Sequence, residues 1–289
     1  MKIAITGATG HLGQIVVKKL KEKISADHIV GLVRSLEKAS ALGLGIETRL
    51  ADFGKPETLE SALAGIDTLL LISGSDMGKR PAQHANIIGA AKKNNVKWIV
   101  YTSLLHADTS SVSLAGEHLA TEADLLSSGI PYTLMRNGWY TENYTHSIAG
   151  AIAGGAFIGS AKDGKISSAA RADYADAAVA ILTTPGHEGK VYELAGDDSW
   201  TLSDLAAETS RQTGKDIAYV DMPEAKYASA LAGFGLPEAL CKAIAGWDVS
   251  ASNNALFDDG KVLSKLIGKP TTSLSVVVAK ELEAAAVSN

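Results

Sequence analysis

The feature that most constrains the fold is a glycine-rich turn close to residue 1. The sequence KIAIT is a short apolar run, and GATGHLG follows it directly. Gly7, Gly10 and Gly13 recur at every third position, and the apolar residues after them have the spacing of an amphipathic helix. The pattern predicts a strand, a tight turn and a helix in succession.

Each of the three glycines has a separate physical role in such a turn. Gly7 permits the tight turn, Gly10 lets the backbone approach a pyrophosphate, and Gly13 allows close packing of helix and strand. The helix N terminus then offers backbone amides and the positive end of its dipole to phosphate groups. We expect a dinucleotide here, and a purely structural βα turn is the alternative. The predicted binding residues are Gly7, Ala8, Thr9, Gly10, His11, Leu12 and Gly13.

Apolar runs alternate with helical patterns through the first half of the chain. Several runs are almost continuously apolar, as in parallel strands that are covered on both faces. Strand–helix repeats at this spacing predict right-handed crossovers and an α/β fold with a Rossmann-type doubly wound parallel sheet. The predicted strands are Lys2–Ile5, Ile29–Val33, Ile46–Leu50, Thr68–Ile72, Trp98–Thr102 and Tyr132–Met135.

The alternation loosens from about residue 145 onward. We predict that residues 1–144 form an NAD(P)-binding Rossmann domain. Residues 145–289 would form a smaller C-terminal α/β region that covers the carboxyl ends of the strands and is not fully separable from the first. The elements expected there are a strand in 189–196, a helix over 201–214 with a start signal at Ser203 and Asp204 and a stop signal at Gly214, and two helices opened by prolines.

Composition excludes several function classes. The chain is 46% apolar and 20% charged, with a formal net charge of −5 and no long basic run, which argues against a nucleic-acid partner. Its longest apolar stretches fall far short of the ~20 residues that span a bilayer. The lone Cys241 and the absence of a signal-peptide pattern favour a cytoplasmic protein. We predict no metal site.

The end of the second predicted strand indicates which dinucleotide binds. NAD sites usually place an acidic residue there, ~20 residues after the turn, to bind the ribose hydroxyls. This chain has Arg34 instead. A guanidinium suits a 2′-phosphate, so the sequence favours NADPH, with a solvated loop arginine as the alternative. Asp52, after the third strand, either accepts from the adenine amino group or faces solvent.

The proton-donating pair of many short-chain dehydrogenases is absent. None of the eight tyrosines is followed four residues later by lysine. On the helix where the pair is expected, His118 and Glu122 stand four apart, and we interpret them as a surface pair. A positioned acid considerably lowers the barrier to reduction of an ordinary ketone. A quinone tolerates the incoming electrons, because its hydroquinone anion is no more basic than a tyrosinate, with a pKa of about 10. The alternative is a protein that only senses the dinucleotide.

Five stretches together resemble the NmrA-like family of atypical short-chain dehydrogenases. The similarity extends from residue 1 to about residue 275. Within that family the stretches are similar to bacterial NADPH-dependent quinone reductases, with reductases of cationic triphenylmethane dyes as near relatives. The stretches are ITGATGHLG, YTSLLHADTS, RNGWYTENY, GHEGKVYELAGDDSWTL and LFDDGKVLSKLIGKPTT.

The resemblance implies an enzyme that binds NADPH in a cleft between a Rossmann domain and a smaller domain. It places Arg34 at the 2′-phosphate, and Tyr140 either orients a quinone oxygen, stacks on a ring or is a domain-interface aromatic. His84 and His106 can line the acceptor pocket, although a buried or a surface histidine explains each equally well. Further implied cofactor contacts are Ser73, Gly74 and Ser75 beside the cofactor, and Gly138, Trp139, Tyr140, Thr141, Glu142 and Asn143 near the nicotinamide.

The resemblance also sets the expected function. We expect an NADPH-dependent oxidoreductase that transfers hydride to a small-molecule quinone or a similarly activated electrophile. A non-catalytic NADP(H)-sensing regulator of the NmrA type and a reductase of cationic dyes are the alternatives. The sequence indicates no membrane partner and leaves a homodimer open.

Overall fold

Parallel strands dominate the structure, a computed structural model that describes residues 1–287. One sheet has the order β3-β2-β1-β4-β5-β6-β8, and every neighbouring pair in it is parallel. Strands β7 and β9 form a separate parallel pair. In chain order the strands are β1 (Ile3–Thr6), β2 (Ile29–Val33), β3 (Glu47–Leu50), β4 (Thr68–Leu71), β5 (Trp98–Leu104), β6 (Tyr132–Asn137), β7 (Ala156–Gly159), β8 (Val191–Leu194) and β9 (Ala218–Asp221).

Helices connect these strands and extend the second half of the chain. A single 3₁₀ turn, Ala26–His28, precedes β2. The α-helices are α1 (His11–Lys21), α2 (Leu36–Leu42), α3 (Pro56–Ala62), α4 (Arg80–Lys93), α5 (Ala115–Ser128), α6 (Glu142–Thr145), α7 (Ile148–Gly154), α8 (Arg171–Thr183), α9 (Leu202–Thr213), α10 (Glu224–Gly233), α11 (Glu238–Ser252), α12 (Val262–Ile267) and α13 (Leu274–Val287).

The sheet confirms the predicted Rossmann-type fold. All six predicted strands are present, with ends that shift by at most two residues. From β1 the chain adds β2 and β3 on one side, then β4, β5, β6 and β8 on the other. The strand order therefore reverses between β1 and β4, and in such sheets ligands bind at that switch point, beyond the carboxyl ends of the strands.

The described residues form two units. The first unit is Met1–Asp108, Leu114–Asn137 and Arg171–Leu194, and the second is Thr109–Ser113, Gly138–Ala170 and the described residues from Ala195 onward. This division differs from the predicted boundary after residue 144. The chain returns to the first unit at Arg171–Leu194, because that segment supplies α8 and the last strand of the sheet.

The first unit has apolar cores on both faces of its sheet. On one face, Leu69, Leu71 and Ile99 are fully buried with residues of α3, α4 and α5. On the other face α1 packs against the alanine-rich α8, and the Lys19 ammonium lies 2.5 Å from the Asp176 carboxylate. The unbroken apolar strands are explained by this double coverage.

In the second unit, helix α9 shows how local signals set its ends. Thr201 is the N-cap residue, and it forms a reciprocal capping box with Asp204. The prediction that Ser203 supplies the start signal was therefore wrong, because the Asp204 amide donates its hydrogen bond to the side chain of Thr201. Gly214 ends the helix in the left-handed conformation, as predicted.

Candidate functional site

The glycine turn between β1 and α1 has no room for a side chain at Gly13 and little room for one at Gly10. The Gly10 amide donates to the Gly7 carbonyl oxygen over 2.8 Å, and Gly7 has a φ of 59°. A Cβ on Gly13 would collide with that carbonyl oxygen and lie 2.9 Å from the Ala8 Cα. At Gly10 it would lie 3.1 Å from the same oxygen. The three-residue spacing thus reflects a turn on which α1 packs directly.

The start of α1 presents backbone rather than side chains at the carboxyl end of β1. Gly10, which has no side chain to cap the helix, is its N-cap residue. Ala8 and Leu12 are buried, while the side chain of His11 is exposed. A helix N terminus of this kind stabilises anions through its amides and its dipole.

Arg34 follows β2 directly and has a side chain that is 70% exposed. Its Nη1 lies 3.8 Å from Oδ2 of Asp76, in the loop after β4. An exposed ion pair at this distance stabilises little, so it leaves the guanidinium available to a stronger anion. The 2′-phosphate contact of Arg34 stays a prediction.

Asp52 has a local structural task in the loop after β3. Its Oδ1 accepts a hydrogen bond from the Gly54 amide over 2.9 Å, and its own amide donates to Thr58 Oγ1 over 2.9 Å. These bonds form a turn that leads into α3. The adenine contact considered for Asp52 stays a prediction.

Buried side chains hold the backbone of Ser73–Gly74–Ser75, the loop that follows β4. The Ser73 amide donates to Thr102 Oγ1 over 2.9 Å, and the Gly74 amide donates to His84 Nε2 over 3.0 Å. Arg80 Nε donates to the Gly74 carbonyl oxygen over 2.9 Å. The loop beside the switch point is therefore fixed through its main chain.

His84 is fully buried, which favours the buried-histidine alternative of the sequence analysis over a pocket-lining role. Because Nε2 accepts from Gly74, the ring proton is on Nδ1, which lies 2.9 Å from Thr121 Oγ1. Burial, and to a smaller extent the Arg80 charge, lowers the pKa of His84 to about 3. The ring is neutral at pH 7 and positions the loop.

The expected surface pair of His118 and Glu122 was wrong. His118 is buried with Nδ1 2.7 Å from the Tyr101 hydroxyl, and burial, then the charges of Arg80 and His84, lower its pKa to about 3. Glu122 accepts from Ser103 Oγ over 2.5 Å and from Arg136 Nε over 3.0 Å. Both residues face the sheet because polar side chains on β5 and β6 form hydrogen bonds with them.

Arg136 lies at the centre of an acidic cluster. Its guanidinium pairs with Glu122, Glu193 and Asp108 at distances of 2.8 to 3.1 Å, and these hydrogen bonds raise its pKa. His106 has a φ of 51° and donates its amide to Glu193 Oε2 over 2.7 Å. Its predicted position at the acceptor stays a prediction.

The segment Gly138–Asn143 lies in the second unit. The Trp139 and Trp247 rings meet edge to face at 5.4 Å, and Thr141 Oγ1 lies 2.8 Å from Ser168 Oγ. Residues 142 and 143 lie within α6, whose N-cap residue is Thr141. The cofactor contacts of this segment and the orienting role of Tyr140 stay predictions.

Sequence analysis missed Asn137, the last residue of β6. Its side chain is buried, and neither Oδ1 nor Nδ2 has a hydrogen-bond partner among residues 1–287. The signal was present in RNGWY, where a polar residue ends a strand that is otherwise buried.

Two features are absent from the described residues. Within residues 1–287 no three His, Cys, Asp or Glu side chains come together as a metal site. In the same range no helix is long and apolar enough to cross a bilayer.

Comparison with known proteins identifies the family. The model of the NAD(P)H-binding family matches residues 7–185. Quinone oxidoreductase 2 of Escherichia coli is 56% identical over 274 residues, which are 94% of this chain and 96% of that protein. The chain therefore belongs to the NAD(P)H-binding family.

Solved structures agree with this assignment. The E. coli NADPH-dependent quinone oxidoreductase in complex with NADPH has a TM-score of 0.93 and 55% identity, covering 96% of this chain and 99% of that one. Citrobacter sp. triphenylmethane reductase in complex with NADP(H) has a TM-score of 0.93 and 36% identity, covering 97% and 100%. The family resemblance predicted from the motifs is confirmed.

Proposed function

We propose that the protein is an NADPH-dependent oxidoreductase that transfers hydride to a quinone. The observation that carries the proposal is the 56% identity with E. coli quinone oxidoreductase 2 over 94% of this chain. That similarity extends far beyond the glycine turn, which many dinucleotide-binding proteins share. It includes residues of both units.

The first unit fits NADPH on its own geometry. The glycine turn after β1 gives a pyrophosphate a backbone surface on which Gly10 and Gly13 carry no side chain. Arg34 follows β2, one strand spacing or about 5 Å away, where it suits the 2′-phosphate. NADPH, when bound, supplies the hydride.

The residues at the usual acid position are unsuited to donate a proton. His118 is buried and neutral, and Glu122 accepts hydrogen bonds from Ser103 and Arg136. Reduction of a quinone takes one hydride and one proton, and the hydroquinone anion, with a pKa of about 10, can take its proton from water. The chain therefore favours acceptors that need no protein acid, and its own residues contribute binding and orientation.

The central experiment follows NADPH absorbance near ~340 nm, the signal of the reduced nicotinamide. A small quinone and a cationic triphenylmethane dye are compared as acceptors. Loss of NADPH that depends on the quinone supports the proposal. Oxidation with the dye alone would favour the dye-reductase alternative. Tight NADPH binding with neither acceptor reduced would favour the sensing regulator.

The cofactor preference is tested at Arg34. We expect Arg34→Ala to weaken NADPH binding by ~1.5–3 kcal/mol and to leave NADH nearly unchanged, because a charge-assisted hydrogen bond to the 2′-phosphate is lost. Lys92→Ala, which removes an exposed charge in the last turn of α4, is the control and should change neither. Equal weakening of both cofactors by Arg34→Ala would refute the role.

Location and assembly are separate parts of the proposal. We propose a cytoplasmic location because Cys241 is a lone, buried cysteine, which is typical of a reducing compartment. Cell fractionation tests this. Sedimentation of the purified protein tests the homodimer.

A further inference from the structure

Arg34, the residue proposed to bind the 2′-phosphate, has an acidic neighbour from a different loop. Strands β2 and β4 both pair with β1, one on each side, so the loops that follow them flank the glycine turn. Asp76 belongs to the loop after β4, and its Oδ2 lies 3.8 Å from Arg34 Nη1. The two side chains therefore meet at the carboxyl end of the sheet, where a dinucleotide extends from the turn toward Arg34.

Neighbouring residues hold the Asp76 carboxylate in this position. Gln83 Nε2 donates to Asp76 Oδ2 over 3.0 Å, and the Lys79 amide donates to the Asp76 carbonyl oxygen over 3.1 Å. Two residues further along the loop, the Gly78 amide donates to Glu117 Oε1 over 2.6 Å. The loop is thus anchored to α4 and α5, and the carboxylate cannot withdraw without breaking its bond to Gln83.

A 2′-phosphate bound at Arg34 would lie close to this carboxylate. A phosphate oxygen that accepts from Nη1 at about 2.8 Å lies within about 6.6 Å of Asp76 Oδ2. That separation is shorter than the Debye length of about 10 Å at 0.1 M salt, so the two negative groups repel each other. The phosphate carries about two negative charges. The 2′-hydroxyl of NADH carries none and donates readily to a carboxylate.

We propose that Asp76 is a specificity-determining residue that narrows the preference of the protein for NADPH over NADH, an inference that rests on the proposed use of NADPH. Arg34 attracts the 2′-phosphate, and the anchored carboxylate beside it offsets part of that attraction. An exposed ion pair at this distance contributes little to stability, so the consequence of the carboxylate lies in binding. The pair of charges gives a site that accepts both dinucleotides.

The test measures the dissociation constants of NADPH and NADH by isothermal titration of the full chain at 0.1 M salt. Asp76→Asn removes the charge and keeps an oxygen for the Gln83 amide. We expect this variant to bind NADPH about fivefold more tightly and NADH no more tightly than wild type, because only the phosphate is repelled. At 1 M salt, where the Debye length is about 3 Å, most of this gain should disappear.

Glu22→Gln is the matched control. It removes the same charge from an exposed side chain at the C-cap of α1, and the 11 residues of that helix separate it from the glycine turn by about 16 Å. Both affinities should stay as in wild type. Asp76→Ala is a second variant, which also loses the bond to Gln83. It should raise the ratio of NADPH to NADH affinity as Asp76→Asn does, even where a looser loop weakens both dinucleotides.

Two results would overturn the inference alone. One is an Asp76→Asn protein in which the ratio of NADPH to NADH affinity is unchanged. The other is a gain in NADPH affinity that is as large at 1 M salt as at 0.1 M, since repulsion between charges would then not be its cause. Wild type that binds neither dinucleotide would instead overturn the proposed function itself.

Discussion

Each of the two units contains a glycine at which its own backbone leaves no room for a side chain. The units differ in their buried ionisable groups, which are histidines in the first unit and a carboxyl group in the second. In the first unit, burial lowers the pKa of His84 and of His118 to about 3. In the second unit, burial raises the pKa of Asp248 to about 6, the Ser160 amide opposes this shift, and the charge of Asp221 adds to it. Desolvation favours the uncharged form in each case. One physical cause therefore makes the units respond to pH in opposite directions.

The direction follows from proton binding in the folded and unfolded states. A histidine with a lowered pKa stabilises fully above its unfolded value of 6.5, and this stability is lost as the pH falls toward 3. A carboxyl with a raised pKa stabilises fully below its unfolded value of 3.8, and this stability is lost as the pH rises through 6.

The largest expected effect comes from adding a methyl group at a tightly packed glycine in each unit. A Cβ on Gly13 would collide with the Gly7 carbonyl oxygen, and one on Gly164 would collide with that of Ala251 and lie 2.7 Å from the Ser252 Cα. Both Gly13→Ala and Gly164→Ala should lower the Tm, because backbone atoms cannot move aside cheaply. We expect Gly13→Ala alone to weaken NADPH binding, by at least ~100-fold or ~3 kcal/mol. Similar losses for folded samples of both variants would contradict a site in the first unit.

The next effect tests the first unit's acid sensitivity. As the pH falls from 6.5 to 4.5, each buried neutral histidine lowers the free energy of unfolding by ~1.4 kcal/mol per pH unit, or ~3 kcal/mol in all. His84→Gln should lower this slope by ~1.4 kcal/mol per pH unit, while His118 keeps its own contribution and Asp248 opposes both. It should also cost ~1 kcal/mol at pH 8 for the lost bond to Thr121. Urea titrations across this pH range measure the slope. An unchanged slope would show that His84 titrates normally in the folded protein.

The smallest effect tests the second unit. Asp248→Asn keeps an oxygen for the Ser160 amide, which lies 2.9 Å from Asp248 Oδ2, and removes the cost of a buried charge. The variant should be more stable than wild type by up to ~3 kcal/mol at pH 7.5, a difference that disappears near pH 3.8. Hydrogen exchange in β7 reports on the second unit separately. Destabilisation by the same amount at both pH values would contradict the raised pKa.

The sequence predicted the first unit well because local rules determine it. The strands are contiguous apolar runs. The glycine spacing itself indicates the turn, because close backbone packing there excludes larger residues. It did not predict β7 and β9, which are four residues each, mostly half-buried or exposed, and paired across distant segments. Their pairing leaves no periodic signal in either segment alone.

The same distinction between local patterns and contacts of distant segments applies to the site residues. Helical spacing placed His118 and Glu122 on one helix, but only the neighbouring strands supply Tyr101, Ser103 and Arg136 as their partners. Asn137 was visible as a polar residue. Its lack of a partner became visible only when its surroundings were known.

The position of β8 has a consequence for protein stability in cells. Strand β8 enters the sheet after a long excursion of the chain and pairs with β6, so β6 has a neighbour on both sides. A fragment ending at residue 144 would leave β6 as an edge strand, with unpaired amides and carbonyls along a segment that is mostly buried in the whole protein. Such an edge invites pairing with other copies. Proteolytic nicking between β6 and β8 would therefore release an aggregation-prone piece rather than a working nucleotide-binding domain.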